Sequence, residues 1–264
     1  MYRPQRFINH SIMSPRVMDY LNTLATSVIE PYNECMKKRE YKISNYRPDT
    51  KTIRESDWRI SSIPYDLQFR HVEITGPANN KKMMLNACNS GANGYMIDLE
   101  DSMSPTPQNV IDAHSNLHDL FRNTLSFEKY NTEGHLEKIY RLPDVLPTLM
   151  VRHRGLHMRE NFLVDSNNRG IPAPIFDIGL HLFHNGKLLE EQQKGIYFYT
   201  PKLENYEDAI FMNHLFTEGL KLLNISPAQL KTTVLIETYP AIYQTDEIVH
   251  ALKDYIVGLN CGRW

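Results

Sequence analysis

The apolar residues of this chain fall into short continuous runs that alternate with amphipathic stretches. The runs are rich in β-branched and aromatic residues and predict buried strands. They lie at 72–75, 94–98, 148–152, 196–200, 233–237 and 255–260. Between the second and third runs, apolar residues from Val110 to Leu120 recur at spacings of 3, 4 and 3, which places them on one helix face. Alternating strands and helices are typical of an α/β protein with a parallel sheet.

A different pattern precedes the first run. Apolar residues recur at helical spacing over 16–40, and a polar link follows over 42–54. We therefore predict an N-terminal helical arm over 1–56 and a strand-and-helix domain over 57–264. Two stretches of that domain fit neither pattern. Residues 128–143 are predicted to be a polar connection, and residues 154–170 a loop or small hairpin.

Polar side chains stand at the end of nearly every predicted strand. They are Thr75, Asp98 with Glu100 and Asp101, Arg152, Lys202, Glu237 and Asn260. In parallel α/β folds the carboxyl ends of the strands carry the ligand site, and in an eight-stranded barrel they form its rim. We expect the arginine and the carboxylates of this set to converge on one polar pocket at that rim.

Asp98, Glu100 and Asp101 form an acidic cluster that has two interpretations. Adjacent carboxylates repel one another unless a cation lies among them, so the cluster is typical of a divalent-metal site or of the water shell around a metal. Alternatively, it is a solvated cluster before the next helix, with Ser102 or Ser104 as the helix N-cap. The spacing alone leaves both interpretations open.

Three further features place charge or hydrogen-bond donors near strand ends. Arg152 and Arg154 point to the same side of a strand, where a guanidinium either binds a carboxylate or oxyanion or forms an ordinary ion pair. Glu237 is either a ligand of a hard metal or a structural partner of Arg152. The successive backbone N–H groups of residues 262–264 are able to form a nest for a small anion.

Composition narrows the class of protein. A net charge of −2 favours neither nucleic acid nor a membrane surface as the partner. Three cysteines without metal-like spacing, no signal peptide and no apolar run of about 18 residues predict a cytoplasmic protein. The sequence contains no phosphate loop, dinucleotide fingerprint or serine nucleophile elbow.

Eight segments of the chain carry a family resemblance. They are Arg70-His-Val-Glu-Ile-Thr-Gly-Pro77, Asp98-Leu-Glu-Asp-Ser102, Val151-Arg-His-Arg-Gly-Leu-His157, Phe176-Asp-Ile-Gly179, Phe183-His-Asn185, Tyr197-Phe-Tyr-Thr-Pro-Lys202, Leu235-Ile-Glu-Thr238 and Gly258-Leu-Asn-Cys-Gly-Arg-Trp264. In this order they resemble malate synthases of the A type, from about residue 57 to residue 264. Residues 1–56 are similar to the N-terminal helical arm of that family.

The resemblance implies a fold and a reaction. The fold is an α/β barrel of the TIM (β/α)8 type, incomplete in this chain with about six strands and preceded by the helical arm. The implied enzyme is an Mg²⁺-dependent acyltransferase of the glyoxylate cycle, which condenses glyoxylate with acetyl-CoA to form malate and CoA.

The resemblance also implies roles for individual residues. Arg152 matches the catalytic arginine, which also binds the substrate, and Glu237 matches an Mg²⁺ ligand. Asp98 and Glu100 match an acidic pair that acts beside the metal. The backbone amides of Gly262 and Trp264 match those that hold the glyoxylate carboxylate.

The chain departs from the family at residue 264. The family has a second metal-binding aspartate directly after this motif, and its catalytic base lies further on, so we expect the isolated chain to lack condensation activity. A second chain that supplied these parts would make it one half of a split enzyme. Two alternatives stay open: a non-catalytic remnant that binds glyoxylate-like anions or a partner chain, and a barrel lyase acting on citramalyl or malyl thioesters, against which residues 258–264 argue.

Overall fold

The computed structural model describes residues 1–4, 11–40 and 44–262. In chain order, the elements of this described part are β1 (Arg3–Pro4), α1 (Pro15–Lys38), α2 (Lys51–Glu55), β2 (Glu73–Pro77), α3 (Lys81–Cys88), β3 (Gly94–Asp98), α4 (Pro107–Phe121), β4 (Ser126–Tyr130), β5 (Leu136–Arg141), β6 (Thr148–Arg152), β7 (Arg159–Val164), β8 (Gly170–Pro172), α5 (Ala173–His181), α6 (Lys187–Glu191), β9 (Ile196–Thr200), α7 (Tyr206–Leu222), β10 (Leu230–Ile236), α8 (Tyr239–Ile242), α9 (Thr245–Ala251) and β11 (Ile256–Cys261). Short 3-10 turns lie at Tyr65–Leu67 and Pro227–Gln229, and a π-helical turn lies at Leu182–Gly186.

Backbone contacts divide the chain into two compact units. The continuous unit is Pro64–Arg152, and the discontinuous unit combines Met1–Ile63 with His153–Trp264. Each unit contains three neighbouring parallel strands that are connected through helices. These six strands confirm the predicted α/β class, and β3, β6 and β9 coincide with the predicted runs at 94–98, 148–152 and 196–200.

The continuous unit places β3 between β2 and β6. Its helices begin where the sequence supplies a side-chain acceptor for the first free backbone N–H groups. Asn80 accepts from the backbone N–H of Met83 at the start of α3, and Thr106 accepts from that of Asn109 at the start of α4. The parallel register brings Asp98 opposite Arg152, so the last residues of β3 and β6 are neighbours.

An antiparallel ribbon of β4 and β5 occupies the stretch that was predicted to be only a polar connection. Most of its residues are exposed, so the apolar alternation that normally identifies a strand is weak there. The ribbon is held by backbone pairing and by the ring contact of Phe127 with Tyr140, at 5.9 Å between centroids. Its turn places Gly134 at a φ of 82°, which suits glycine.

The discontinuous unit places β10 between β9 and β11. Strands β7 and β8 pair in antiparallel fashion, which confirms the hairpin alternative for residues 154–170. Two short helices, α8 and α9, lie between the last two strands and are separated at Tyr243 and Gln244. Gln244 is fully buried there and accepts from the backbone N–H of Tyr206, an interaction that spacing along α9 does not reveal.

The N-terminal helix α1 packs within the discontinuous unit against α5 and α7. Ser14 caps its start, Pro15 is its first residue, and Lys37 and Lys38 lie in its last turn. The Tyr20 hydroxyl donates to the carbonyl of Gly219 at 3.1 Å. The predicted domain boundary near residue 56 stays a prediction, and none of the described helices combines the length and apolar character that crossing a bilayer requires.

We expect Leu24→Ala to lower the free energy of unfolding by about 2–5 kcal/mol, because Leu24 is fully buried on α1 and the substitution leaves a cavity. The control is Leu222→Ala at the end of α7, where the leucine is 38% exposed. Urea unfolding of both variants measures the difference. Equal losses would contradict the packing of α1 into the core.

Candidate active site

Arg152 lies at the end of β6 with three carboxylates around its guanidinium. Its Nη2 is 2.7 Å from Glu100 Oε2 and 2.6 Å from Asp101 Oδ2, and its Nη1 is 3.5 Å from Asp98 Oδ2. The side chains of Arg152, Asp98 and Glu100 are nearly buried, whereas that of Asp101 is 37% exposed. The structure therefore brings Arg152, Asp98 and Glu100 together, as expected from the neighbouring strand ends.

The turn after β3 is built around the Asp98 carboxylate. Its Oδ1 accepts from the backbone N–H of Glu100 at 2.8 Å, and its Oδ2 accepts from that of Ser102 at 3.1 Å. The N-cap of α4 is Thr106, so neither Ser102 nor Ser104 caps that helix. The interpretation of a solvated cluster before a helix is wrong, because Asp98 and Glu100 are buried against a guanidinium.

Arg154 has a different environment in the discontinuous unit. Its side chain is 1% exposed and lies between the carboxylates of Asp177 and Glu160, with Nη2 2.7 Å from Asp177 and Nη1 2.8 Å from Glu160. Burial lowers the pKa of this guanidinium, but the charges and hydrogen bonds of the two carboxylates outweigh that effect and raise the pKa. The ordinary ion-pair interpretation is therefore correct for Arg154.

Glu237 follows β10 directly and is fixed by the loop after β9. Its Oε1 accepts from the backbone N–H of Lys202 at 3.0 Å. The hydroxyl of Thr238, the next residue, donates to the carbonyl of Leu203 at 2.6 Å. In the sequence, Lys202 is recognisable only as a polar residue at a strand end. The role of its peptide cannot be predicted from the sequence, because a backbone donor leaves no signal in the residue type.

Gly262 lies against Glu237. A Cβ atom at Gly262 would be 2.5 Å from the Cβ of Glu237 and 3.3 Å from its Oε2. The Gly262 N–H donates to the carbonyl of Ile236 at 3.0 Å, so an anion would have to displace this bond to use that amide. The substrate-binding role predicted for Gly262 stays a prediction, and Trp264 lies outside the described residues.

The residues near Glu237 suit one mode of metal binding. Within the described ranges, no three His, Cys, Asp or Glu side chains are grouped as a metal site. A closed protein cage for a cation is therefore not formed by them. Mg²⁺, however, is commonly held by one or two carboxylates and completes its shell with water and substrate oxygens. Glu237, with a fixed Oε1 and a glycine beside Oε2, fits as a single carboxylate ligand of that kind.

The two groups of predicted site residues belong to different units. Arg152, Asp98 and Glu100 lie in the continuous unit, and Glu237 and Gly262 lie in the discontinuous unit. Within each unit the predicted neighbours are in contact. That all of them share one pocket stays a prediction.

Comparison with known proteins finds relatives that agree with the resemblance described from the sequence. The family model of the malate synthase TIM barrel domain matches residues 148–264. Malate synthase A of Escherichia coli (strain K12) is 38% identical over 270 residues, which cover 99% of this chain and 49% of that protein. The bifunctional glyoxylate cycle protein of Caenorhabditis elegans is 40% identical over 266 residues, covering 97% of this chain and 27% of that protein.

A plant relative gives a similar result. The glyoxysomal malate synthase of Cucurbita maxima is 40% identical over 242 residues, covering 88% of this chain and 41% of that protein. The chain thus spans about half the length of these relatives, or less. The matches confirm the resemblance to malate synthases and the TIM-barrel fold class, of which this chain supplies six parallel strands.

We expect Arg154→Met to lower the free energy of unfolding by about 3–5 kcal/mol, because it removes the cation that compensates two buried carboxylates. Chemical unfolding measures the loss. The control is Arg169→Met, since Arg169 is 60% exposed and pairs only with Asp165 among the ion pairs of the described residues. A loss as small as that of the control would contradict the structural role of Arg154.

We expect Gly262→Ala to lower the free energy of unfolding by about 1–3 kcal/mol, because the new methyl group meets the Cβ of Glu237, which cannot rotate away. Gly76→Ala is the matched control, since a Cβ there has its nearest neighbour, the Tyr95 hydroxyl, at 3.7 Å. Thermal or urea unfolding distinguishes the two. If both alanines were tolerated equally, Glu237 would not be as close to residue 262 as described.

Proposed function

We propose that this chain takes part in the condensation of glyoxylate with acetyl-CoA, which forms malate and CoA. The observation that carries the proposal is the position of Arg152 and Glu237. Each stands at the carboxyl end of a parallel strand. The chain is 38% identical to malate synthase A over 99% of the chain's own length. In TIM-barrel enzymes, the active-site residues lie at the carboxyl ends of the strands.

Arg152 is proposed to stabilise negative charge on glyoxylate oxygens. A guanidinium presents planar, paired N–H donors that match two oxygens at once, and it stays charged at all physiological pH values. Glu100 and Asp101 contact its Nη2, and Asp98 lies near its Nη1. These carboxylates restrict the orientation of the guanidinium, so little reorganisation is needed when charge develops on the substrate.

Glu237 is proposed to hold Mg²⁺ through its carboxylate. When bound, the ion would act as a Lewis acid on the aldehyde oxygen of glyoxylate. The hydrogen bond from the Lys202 N–H fixes one oxygen of Glu237, which leaves the carboxylate in a defined orientation. The acidic pair Asp98 and Glu100 favours a cation in its surroundings, because three carboxylates face a single guanidinium there.

The amides of Gly262 and Trp264 are proposed to receive the carboxylate of glyoxylate. Backbone N–H groups that lie close together along the chain bind small anions without a charged side chain. Use of the Gly262 amide requires its bond to Ile236 to open. Substrate binding is therefore expected to alter the end of β11.

The experiment is a titration of the purified chain with glyoxylate in the presence of Mg²⁺, followed by a thiol-release assay with acetyl-CoA. The assay is run on the chain alone and on a mixture with a polypeptide that supplies further barrel strands. Glyoxylate binding with thiol release in either sample supports the proposal. Binding without release in both samples favours an anion-binding protein. Cleavage of malyl-CoA to glyoxylate and acetyl-CoA, which frees no thiol, favours a lyase. Absence of glyoxylate binding contradicts the proposal.

We expect Arg152→Lys to reduce turnover by about 10²–10³-fold, or glyoxylate affinity by about 10–100-fold where binding alone is measured. Lysine keeps the positive charge but loses the planar pair of donors. The unfolding midpoint should change little, because the ammonium still faces the three carboxylates.

The matched control is Arg122→Lys in the same unit, where the arginine donates to the carbonyl of His118. We expect wild-type turnover and affinity in this variant. Wild-type turnover and affinity in Arg152→Lys would remove Arg152 from the reaction.

A further inference from the structure

The loop that carries Lys202 is held in an unusual backbone conformation. Lys202 has a φ of 51°, in the left-handed region that side chains other than glycine seldom adopt. Such a conformation persists only where the surrounding structure holds it in place. One of the groups that hold it is Glu237, whose Oε1 accepts from the Lys202 N–H at 3.0 Å.

Arg39 holds the other side of the same residue. Its Nη2 donates to the Lys202 carbonyl at 3.0 Å. Its Nη1 donates to Glu204 at 2.9 Å, and its Nε and Nη2 donate to the two oxygens of Asp208 at 3.2 and 2.8 Å. A single guanidinium thus fixes the loop from Lys202 to Asp208 at several points.

The anchor of Arg39 is a buried charge. The Asp208 side chain has no exposed surface, and the Arg39 side chain is 8% exposed. Asp208 also accepts from the backbone N–H of Glu204 at 2.7 Å and from the Cys35 thiol at 3.0 Å. Burial, and then the charge of Asp208, raise the pKa of that thiol, so Cys35 stays a protonated donor at neutral pH.

We propose that Arg39 is a positioning residue for Glu237 and acts through the peptide of Lys202. Without the bond to its carbonyl, Lys202 can relax towards an ordinary φ, and its N–H then turns away from Glu237. The carboxylate would lose the hydrogen bond that fixes Oε1. This inference rests on the proposed role of Glu237 as a cation ligand, and it assigns a site function to the N-terminal helical arm.

The hydrogen bonds that orient a metal ligand have an effect of known magnitude on metal affinity. Loss of a group that orients a metal ligand commonly weakens metal binding by about 10–100-fold. Arg39→Lys is the informative variant, because lysine keeps a cation beside buried Asp208. A single ammonium has no planar fork with which to contact Asp208, Glu204 and the Lys202 carbonyl together. We expect this variant to fold and to bind cations more weakly.

A matched control separates positioning from general anchoring. Arg47 also joins the N-terminal region to α7, since its Nη1 lies 2.7 Å from Glu207. Among the described residues, its guanidinium donates to Glu207 and Asp49 and not to the Lys202 peptide. Arg47→Lys therefore changes a second link to the same helix without acting on Glu237.

The experiment measures Mn²⁺ binding to the full chain by electron paramagnetic resonance, with Mn²⁺ as the probe for Mg²⁺. We expect binding to weaken by about tenfold or more in Arg39→Lys and in Glu237→Gln, and to stay unchanged in Arg47→Lys. Hydrogen exchange of the Lys202 amide is measured in the same variants. It should become faster in Arg39→Lys and stay unchanged in Arg47→Lys.

The two measurements distinguish the inference from the function on which it rests. Absence of Mn²⁺ binding to the wild type, or unchanged binding in Glu237→Gln, contradicts the metal role of Glu237. Unchanged exchange of the Lys202 amide in Arg39→Lys contradicts the inference in any case. The inference is also contradicted if Glu237→Gln weakens Mn²⁺ binding and Arg39→Lys does not. If Arg39→Lys does not fold, the double variant Arg39→Met with Asp208→Asn removes both buried charges and is judged by the same outcomes.

Discussion

The discontinuous unit depends on how one buried carboxylate is satisfied. Asp208 is fully buried at the start of α7, where an uncompensated charge would be strongly destabilising. Four donors compensate it, from the Glu204 amide, the Cys35 thiol and two nitrogens of Arg39. Because Cys35 lies in α1 and Arg39 directly follows it, α1 has to end beside α7. The Lys202 loop and the Glu237 carboxylate take their positions from that constraint.

Two arginines that are separated by one residue show how surroundings decide the role of a charge. Arg154 has 1% of its side chain exposed and is compensated by two buried carboxylates, which suits a permanent internal link. Arg152 faces three carboxylates, one of which, Asp101, is 37% exposed, so its cluster borders solvent. A charge at such a border can exchange partners with a ligand at lower cost than a charge in the interior. The two arginines belong to one sequence motif and are both buried, and they differ in the exposure of the carboxylates around them.

The sequence predicted those parts of the fold that depend on local pattern. The apolar runs located β3, β6 and β9, and the motifs located Arg152 beside Asp98 and Glu100. The ribbon of β4 and β5 was missed because both of its faces are largely exposed, which removes the apolar alternation. Arg39 was missed for a different reason. Its partner Asp208 is 169 residues away, and its bond to Lys202 involves a backbone carbonyl that no residue type encodes.

The packing of α1 has a consequence for the period during which the chain is being synthesised. Helix α1 is synthesised before α5 and α7, and its apolar face, which includes Leu21 and Leu24, is buried against these two helices. Ribosomes add about 5–20 residues per second, so this face stays uncovered for many seconds until α5 and α7 have been synthesised. During that interval an amphipathic helix exposes surface that favours aggregation or chaperone binding. Production of this polypeptide should therefore depend on chaperone supply more than its final stability would indicate.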